Sequence, residues 1–167
     1  MTCPSAAAQS IQPKGALRYD GSKPELQHLT PSTWERLIQG KLPKASLLSM
    51  NEAMDDYFYY NDDSLLFEVW AALPESDLND MSNVLSFGAK KYATLNYTKG
   101  MKFSRVLNSF RRHILKLVNG QELDKESGLP HIGHIVCNFM FMVNYADNYR
   151  NLKDNDDRTL LLRNNDE

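Results

Sequence analysis

"NGQELDKESGLPHIGHIVCN", residues 119–138, runs from an acidic turn into a segment that sets histidine and asparagine on one side of a helix. At 100° per residue, Ile132, Val136, Phe139 and Val143 form one stripe. His131, His134, Asn138, Met142 and Tyr145 form a second stripe, almost opposite the first. A surface helix normally pairs one apolar stripe with a charged face, yet this one carries almost no charge before Asp147. Both sides are therefore expected to be covered, with one lining a polar pocket. The pattern alone leaves two roles open for His131 and His134, as satisfied histidines of a core or subunit contact or as site groups. His-x-x-His is common and is a weak metal signature.

Outward from this stretch the spacing predicts further helices. Residues 103–118 read as one, with Gly120 as its stop. "PESDLNDMSNVLSFGAKKY" reads as another, with Pro74 near its first turn. "SLLSMNEAMDDYFYYNDDSLLFEVWAAL" is acidic and aromatic and reads as two helical pieces broken near "YNDD". Thr33 to Gly40 is a further short helix, and "DGSKP" a tight turn. The helix of the opening stretch is expected over Leu129 to Tyr149. There is no internal repeat and no strand-like alternation. The expected fold is all-α, a helical bundle with an N-terminal arm and an inserted acidic-aromatic segment over about 34–73. Residues 1–15 read as a flexible tail, 16–150 as a single helical domain and 151–167 as a polar tail that frays.

Composition narrows the function. The chain has 167 residues, enough for one domain with a real core, and a net charge of −2 that gives no overall attraction to nucleic acid or anionic membrane. Only two cysteines, Cys3 and Cys137, occur, so no disulfide framework is implied and a reducing compartment is expected. No apolar run approaches the ~18 residues that would span a bilayer. The opening residues lack the pattern of a secretory signal, and the expected location is the cytoplasm (a host's, if phage-encoded).

Four further sets of residues carry chemistry. Asp77 and Asp80 fall near one line on their helix, and two carboxylates one turn apart can share a hard cation such as Mg²⁺. An acidic first turn also suits a helix N-terminus, and Asp77 fits that account well. Glu122, Asp124 and Glu126 lie immediately before the histidine helix, where Ser127 can cap the turn and Gly128 can take a strained backbone. His113 lies at the edge of the stripe of Val106, Phe110 and Leu117, as expected of a core or supporting histidine. Lys90, Lys91, Arg111 and Arg112 supply cations that can neutralise phosphates, although such residues are most often a solvated face. "GAKK" is not a Walker A loop, which needs its full Gly-rich run and a Ser or Thr.

Three pieces together, "RYDGSKPEL", "VLSFGAKKYATLNYTKG" and "RVLNSFRRHILKLVNGQELDKESGLPHIGHIVCN", resemble the phage and bacterial dATP/dGTP diphosphohydrolases, relatives of the all-α MazG-type nucleotide pyrophosphohydrolases. The family's pattern has Trp where this chain has Tyr97, and it passes quickly from the front motif to the acidic helix, whereas about forty residues intervene here. The resemblance implies hydrolysis of a purine deoxynucleoside triphosphate to monophosphate and pyrophosphate, with helix-borne carboxylates holding Mg²⁺ (Mn²⁺ or Co²⁺ as alternatives). It picks out Asp80, His113, Glu122, Asp124, Ser127, His131, His134 and Asn138. It also picks out Lys90, Lys91, Tyr92, Asn96 and Gly100 around the central loop, and Tyr19, Asp20, Lys23 and Pro24 in the front motif.

The expected metal set is Asp77, Asp80, Glu122 and Asp124, with Glu122, Asp124 or His131 as proton acceptor. Lys91, Arg112 and Lys23 would meet phosphates, and Tyr19 or Tyr92 would stack on the base. The remaining substrate-binding set is Asp20, Lys90, Asn96, His113, His134 and Asn138. The aromatic-rich insertion makes a homo-oligomer, dimer or tetramer, plausible. Two other readings share the fold. One is a non-catalytic nucleotide- or protein-binding module using the insertion as its contact surface. The other is a histidine/carboxylate phosphohydrolase with different products, since N/O sites can favour Mn²⁺, Co²⁺, Fe or Zn²⁺ over Mg²⁺.

Overall fold

The structure is a computed structural model and describes residues 23–163. A short 3₁₀ turn, Leu26–His28, precedes seven α-helices: α1 (Pro31–Ile38), α2 (Ala45–Tyr60), α3 (Ser64–Ala71), α4 (Glu75–Tyr92), α5 (Phe103–Val118), α6 (His131–Asp147) and α7 (Tyr149–Leu152). The expected all-α bundle is what forms. The 1–15 tail and the Tyr19–Asp20 part of the front motif lie outside the described residues.

Local sequence sets most of the boundaries. Thr30 caps α1 by accepting a hydrogen bond from the Thr33 N–H at 3.3 Å, and Pro31 fits the first helical position. The break at "YNDD" is as expected. Asn61 takes a left-handed conformation (φ 54°) that stops α2, and Asp62 Oδ1 then accepts from the Ser64 N–H at 3.1 Å to begin α3. Pro74 immediately precedes α4, and Gly120, at φ 87°, follows the end of α5.

α6 is the hub. It packs along α4 on one side and α5 on another, and also touches α2 and α3. Ile135, Val136, Phe139, Met142 and Tyr145 are all fully buried, so both stripes of this helix are covered. The close pairing of α4 with α6 depends on Gly133. A Cβ built there would lie 2.5 Å from the Asp80 carbonyl oxygen and 2.9 Å from Val84 Cγ2. Only a hydrogen at position 133 lets the two backbones approach this closely.

The acidic-aromatic segment is an integral part of the bundle. Leu47, Met50, Met54, Tyr57 and Phe58 of α2 face inward and join Phe103, Val106, Leu107 and Phe110 of α5 in one core. Tyr57 and Phe58 are therefore not available as a contact surface, whereas Tyr60, Phe67 and Trp70 of the same segment stay partly exposed. Arg111, fully buried, fastens the front of the chain to this core. Its guanidinium donates to the Leu26 and Leu29 carbonyls, both at 2.9 Å, and to Asp55 Oδ1 at 3.2 Å. The rings of Trp34 and Tyr59 lie beside it. Burial pushes the Asp55 carboxyl up to about 6 against the pull of Arg111.

The segment after α6 differs from the expected fraying tail over residues 151–163. Leu152 is buried, and Arg158 donates to the Tyr57 carbonyl at 2.7 Å while lying over the Tyr57 and Phe103 rings. Asp157 supplies a cap for α5 from 53 positions away, accepting from the Ser104 N–H at 2.9 Å. Polar composition suggested solvation, but here the charged groups pair with one another and with backbone. Burial alone would raise the Asp156 carboxyl, but hydrogen bonds from Arg158 and Tyr149 overcome it and hold the group from 3.8 down to about 2.

Two stability outcomes are expected. Gly133→Ala forces α4 outward and lowers the unfolding free energy by roughly 1–3 kcal/mol, the range for overpacking. Gly88→Ala, where nothing lies within 4 Å of the new Cβ, raises it by roughly 0.5–1 kcal/mol through helix propensity. Urea denaturation of the two variants beside wild type checks both. A Gly133→Ala protein as stable as wild type would refute the close-approach account.

Asp156 gives a pH signature. Its folded-state pKa is depressed, so its stabilisation is full above the ordinary carboxylate range and is lost as pH falls toward 2. Asp156→Asn should cost roughly 1–2 kcal/mol at pH 7 and flatten the fall in stability over that acid window. Denaturant melts across the window read the slope, and an unchanged slope would refute the assignment.

Candidate functional site

The turn before α6 is held by backbone pairing. The Asp124 N–H donates to the Leu129 carbonyl, and the Gly128 N–H to the Asp124 carbonyl, both at 2.8 Å. The His131 N–H donates to the Glu122 carbonyl, also at 2.8 Å. Within this clip Asp124 curls back on itself: its Oδ2 accepts from the Ser127 N–H and Oγ, both at 2.9 Å. Burial raises the Asp124 carboxyl, but the Ser127 hydrogen bonds and the neighbouring histidines outweigh it and hold the group below the usual carboxylate range.

Three histidines meet this carboxylate. His113 of α5 and His131 of α6 bring their Nδ1 atoms to 2.8 Å of each other. His113 also stacks on His134, with ring centroids 4.4 Å apart and planes 8° from parallel. His134 Nε2 lies 2.8 Å from Ser127 Oγ and 3.5 Å from Asp124 Oδ2. Both contacts fall on the same ring nitrogen. The group is therefore not a relay in which a carboxylate and a hydroxyl flank opposite sides of the imidazole. His113, Asp124 and His131 each offer one ligand atom, all within 4.8 Å of one another. His131 is only 3 % exposed, and burial chiefly, with Lys116 adding to it, lowers its pKa despite Asp124.

His113, Asp124 and His134 face a cavity of about 450 Å³ between the second half of α4, the 93–97 loop, α5, the acidic turn and α6. Of the expected site residues, Lys23, Lys91, Tyr92, Asn96, Arg112, His113, Asp124, His134 and Asn138 all line it. Asn138 is pinned by donating to the His134 carbonyl at 2.9 Å and to Ser109 Oγ at 3.1 Å. Across the mouth, Lys91 Nζ donates to Glu126 Oε1 at 2.8 Å, and Lys23 Nζ stands 4.0 Å from Glu126 Oε2. The Lys91 hydrogen bond holds the Glu126 carboxyl below its usual range.

Other expected residues are placed elsewhere. Asp77 is fully buried, with its carboxylate taken by Lys44 Nζ and by Ser46 Oγ at 2.7 Å, so it forms no cation pair with Asp80. Asp80 contributes its carbonyl to the close packing on Gly133 and does not line the cavity. Glu122 turns its carbonyl to the His131 N–H and leaves its side chain in solvent. Lys90 is exposed, one step around α4 from Lys91. His131 sits behind His113 and does not border the cavity. Tyr19 and Asp20 lie outside the described residues. Of the expected metal set, only Asp124 is at the cluster.

Two residues that the sequence reading noted without giving them a site role also take part. Glu126 reaches the mouth where Glu122 does not, and Tyr97 stacks on Phe141 at 4.9 Å in the cavity wall. The signal for Tyr97 was its position, where the family pattern has another large aromatic residue.

A family model described as "dATP/dGTP diphosphohydrolase, N-terminal" matches residues 64–156, more than half of the chain and the span that builds this site. The chain belongs to that family. The dATP/dGTP diphosphohydrolase of Salmonella phage PMBT28 is 35% identical over 63 residues, which cover 38% of this chain and 21% of that protein. The chain thus aligns with about a fifth of that relative's length. No solved structure matches the chain. No helix among the described residues is long and apolar enough to cross a membrane.

His131 is at once a core residue and a member of the cluster. His131→Ala, which deletes a buried hydrogen-bonded ring, should lower the unfolding free energy by roughly 1–3 kcal/mol. His134→Ala, at a half-buried ring, should cost less. Thermal and urea melts of the metal-free variants measure this. Equal stability of the His131 variant and wild type would show that the ring is not part of the packing.

Proposed function

We propose that the chain hydrolyses purine deoxynucleoside triphosphates, dATP and dGTP, to the monophosphate and pyrophosphate in a metal-dependent reaction. One observation carries this reading. A cluster able to hold a divalent ion, two of whose three members (His113 and Asp124) border the cavity, meets three cationic side chains and an aromatic wall there. A nucleotide has the matching parts, an anionic chain joined to a flat apolar base.

The residues present fit a metal in number and donor type, two imidazole nitrogens and one carboxylate oxygen. His113, Asp124 and His131 would hold a divalent ion, which when bound would supply Lewis-acid charge at a phosphate and favour ionisation of nearby water. Lys91, Lys23 and Arg112 offset the remaining phosphate charge, and Lys91 and Lys23 exchange their contact with Glu126 for the substrate. Ser127 orients Asp124 and keeps it ionised. The base lies toward Tyr92, Tyr97 and Phe141, where its faces meet aromatic carbon and water is excluded.

Incubation with each deoxynucleoside triphosphate and a divalent ion, with products separated by ion exchange, tests the reaction. Monophosphate and pyrophosphate are expected from dATP and dGTP, with no turnover in excess chelator. Asp124→Asn should lower kcat by at least about 100-fold, while Lys91→Ala should act mainly on KM. Nucleoside and triphosphate as products would replace the reaction with the alternative phosphohydrolase, and tight binding without turnover would leave a binding module.

A further inference from the structure

We propose that His113, Asp124 and His131 form a site for one divalent transition ion of intermediate softness, of the Mn²⁺, Fe²⁺, Co²⁺ and Zn²⁺ class, in preference to Mg²⁺. The inference deepens the functional reading above and rests on it for the use of the ion, though ion binding is testable alone.

The ligand types decide the class. Mg²⁺ takes oxygen ligands in near-ideal octahedral geometry, and an all-carboxylate set on α4 and the acidic turn would have suited it. That set is not assembled. Asp77 is committed to Lys44 and Ser46, Asp80 packs through its backbone, and the Glu122 side chain is in solvent. What the fold brings together is two imidazoles and a single carboxylate, a donor set that suits borderline ions.

The geometry is close to that of a ligand shell. Two ligands each about 2.1 Å from one ion, at a right angle, stand roughly 3 Å apart. His113 Nδ1 and His131 Nδ1 are 2.8 Å apart, and the Asp124 oxygen completes a group spanning no more than 4.8 Å. Each ligand is also oriented by a neighbour that is not itself a ligand. His134 stacks on His113, Ser127 grips Asp124 through two hydrogen bonds, and the core encloses His131. Three protein ligands leave further coordination positions. His113 and Asp124 border the cavity, so those positions open toward the space where a phosphate would lie.

The test titrates Co²⁺ into the chelator-treated full chain and follows visible absorption and calorimetric heat. One Co²⁺ per chain is expected, with ligand-field bands that persist in about a hundredfold excess of Mg²⁺. His113→Ala and Asp124→Asn should each weaken Co²⁺ binding by at least about 100-fold, and Ser127→Ala by about 10- to 100-fold. Asp80→Asn should leave it unchanged. Both ligand variants alter half-buried side chains, and circular dichroism confirms their fold, so a misfolded His113→Ala still leaves Asp124→Asn to decide. Displacement of Co²⁺ by an equal concentration of Mg²⁺, or Co²⁺ binding that survives both ligand substitutions, would overturn the proposal. Binding that needs His113 and Asp124, with no nucleotide turnover, upholds the site and sinks the reaction. Turnover with Mg²⁺ and no Co²⁺ site does the reverse.

Discussion

The missing side chain at Gly133 is the constraint on which the arrangement rests. With hydrogen there, the Asp80 carbonyl of α4 can lie against the α6 backbone. α6 is then covered on one side by α4 and on another by α5, which is why a helix so poor in charge is stable in this fold. The same contact sets the spacing of the site. His131 and His134 flank Gly133 in sequence, so the point of closest helix approach is also the place where the imidazoles are presented to α5 and to the acidic turn.

Two adjacent arginines show how one helix serves both core and cavity. Arg111 and Arg112 are 100° apart on α5. Arg111 enters the core and satisfies the Leu26 and Leu29 carbonyls together with Asp55. Arg112 borders the cavity. A buried guanidinium is tolerated because it has carbonyl and carboxylate partners and two aromatic faces, and removing those partners would leave an uncompensated charge. This anchor also delivers the front of the chain, and with it Lys23, to the mouth of the cavity.

Much of this was legible because helical periodicity is a local property. The α5 and α6 spans, the stop at Gly120, the break at "YNDD" and the polar stripe of His131, His134 and Asn138 follow from residues within a few turns of one another. What was not legible depends on partners far along the chain. The commitment of Asp77 requires Lys44, 33 residues away, and no local spacing distinguishes that ion pair from a cation site. The choice of Asp124 and Glu126 over Glu122 follows from the backbone bridge between Leu123 and Pro130, which needs the folded turn to be seen. The docking of residues 151–163 was hidden for a related reason. Its charges looked solvated because their partners, Tyr57 and Ser104, lie on other helices.

That docking has a kinetic consequence. The Arg158 contact with Tyr57 spans 101 residues, and Leu161 pairs with Tyr59 over a similar separation. Contacts of such range close late, after the helices they join have already associated, because loop entropy must be met first. Interactions absent from the folding transition state slow unfolding rather than speed folding. The Arg158 latch therefore acts as a brake on opening. It lengthens the lifetime of the native bundle, and with it the protection of α2 and α5 against proteases, by more than it alters the rate at which the bundle forms.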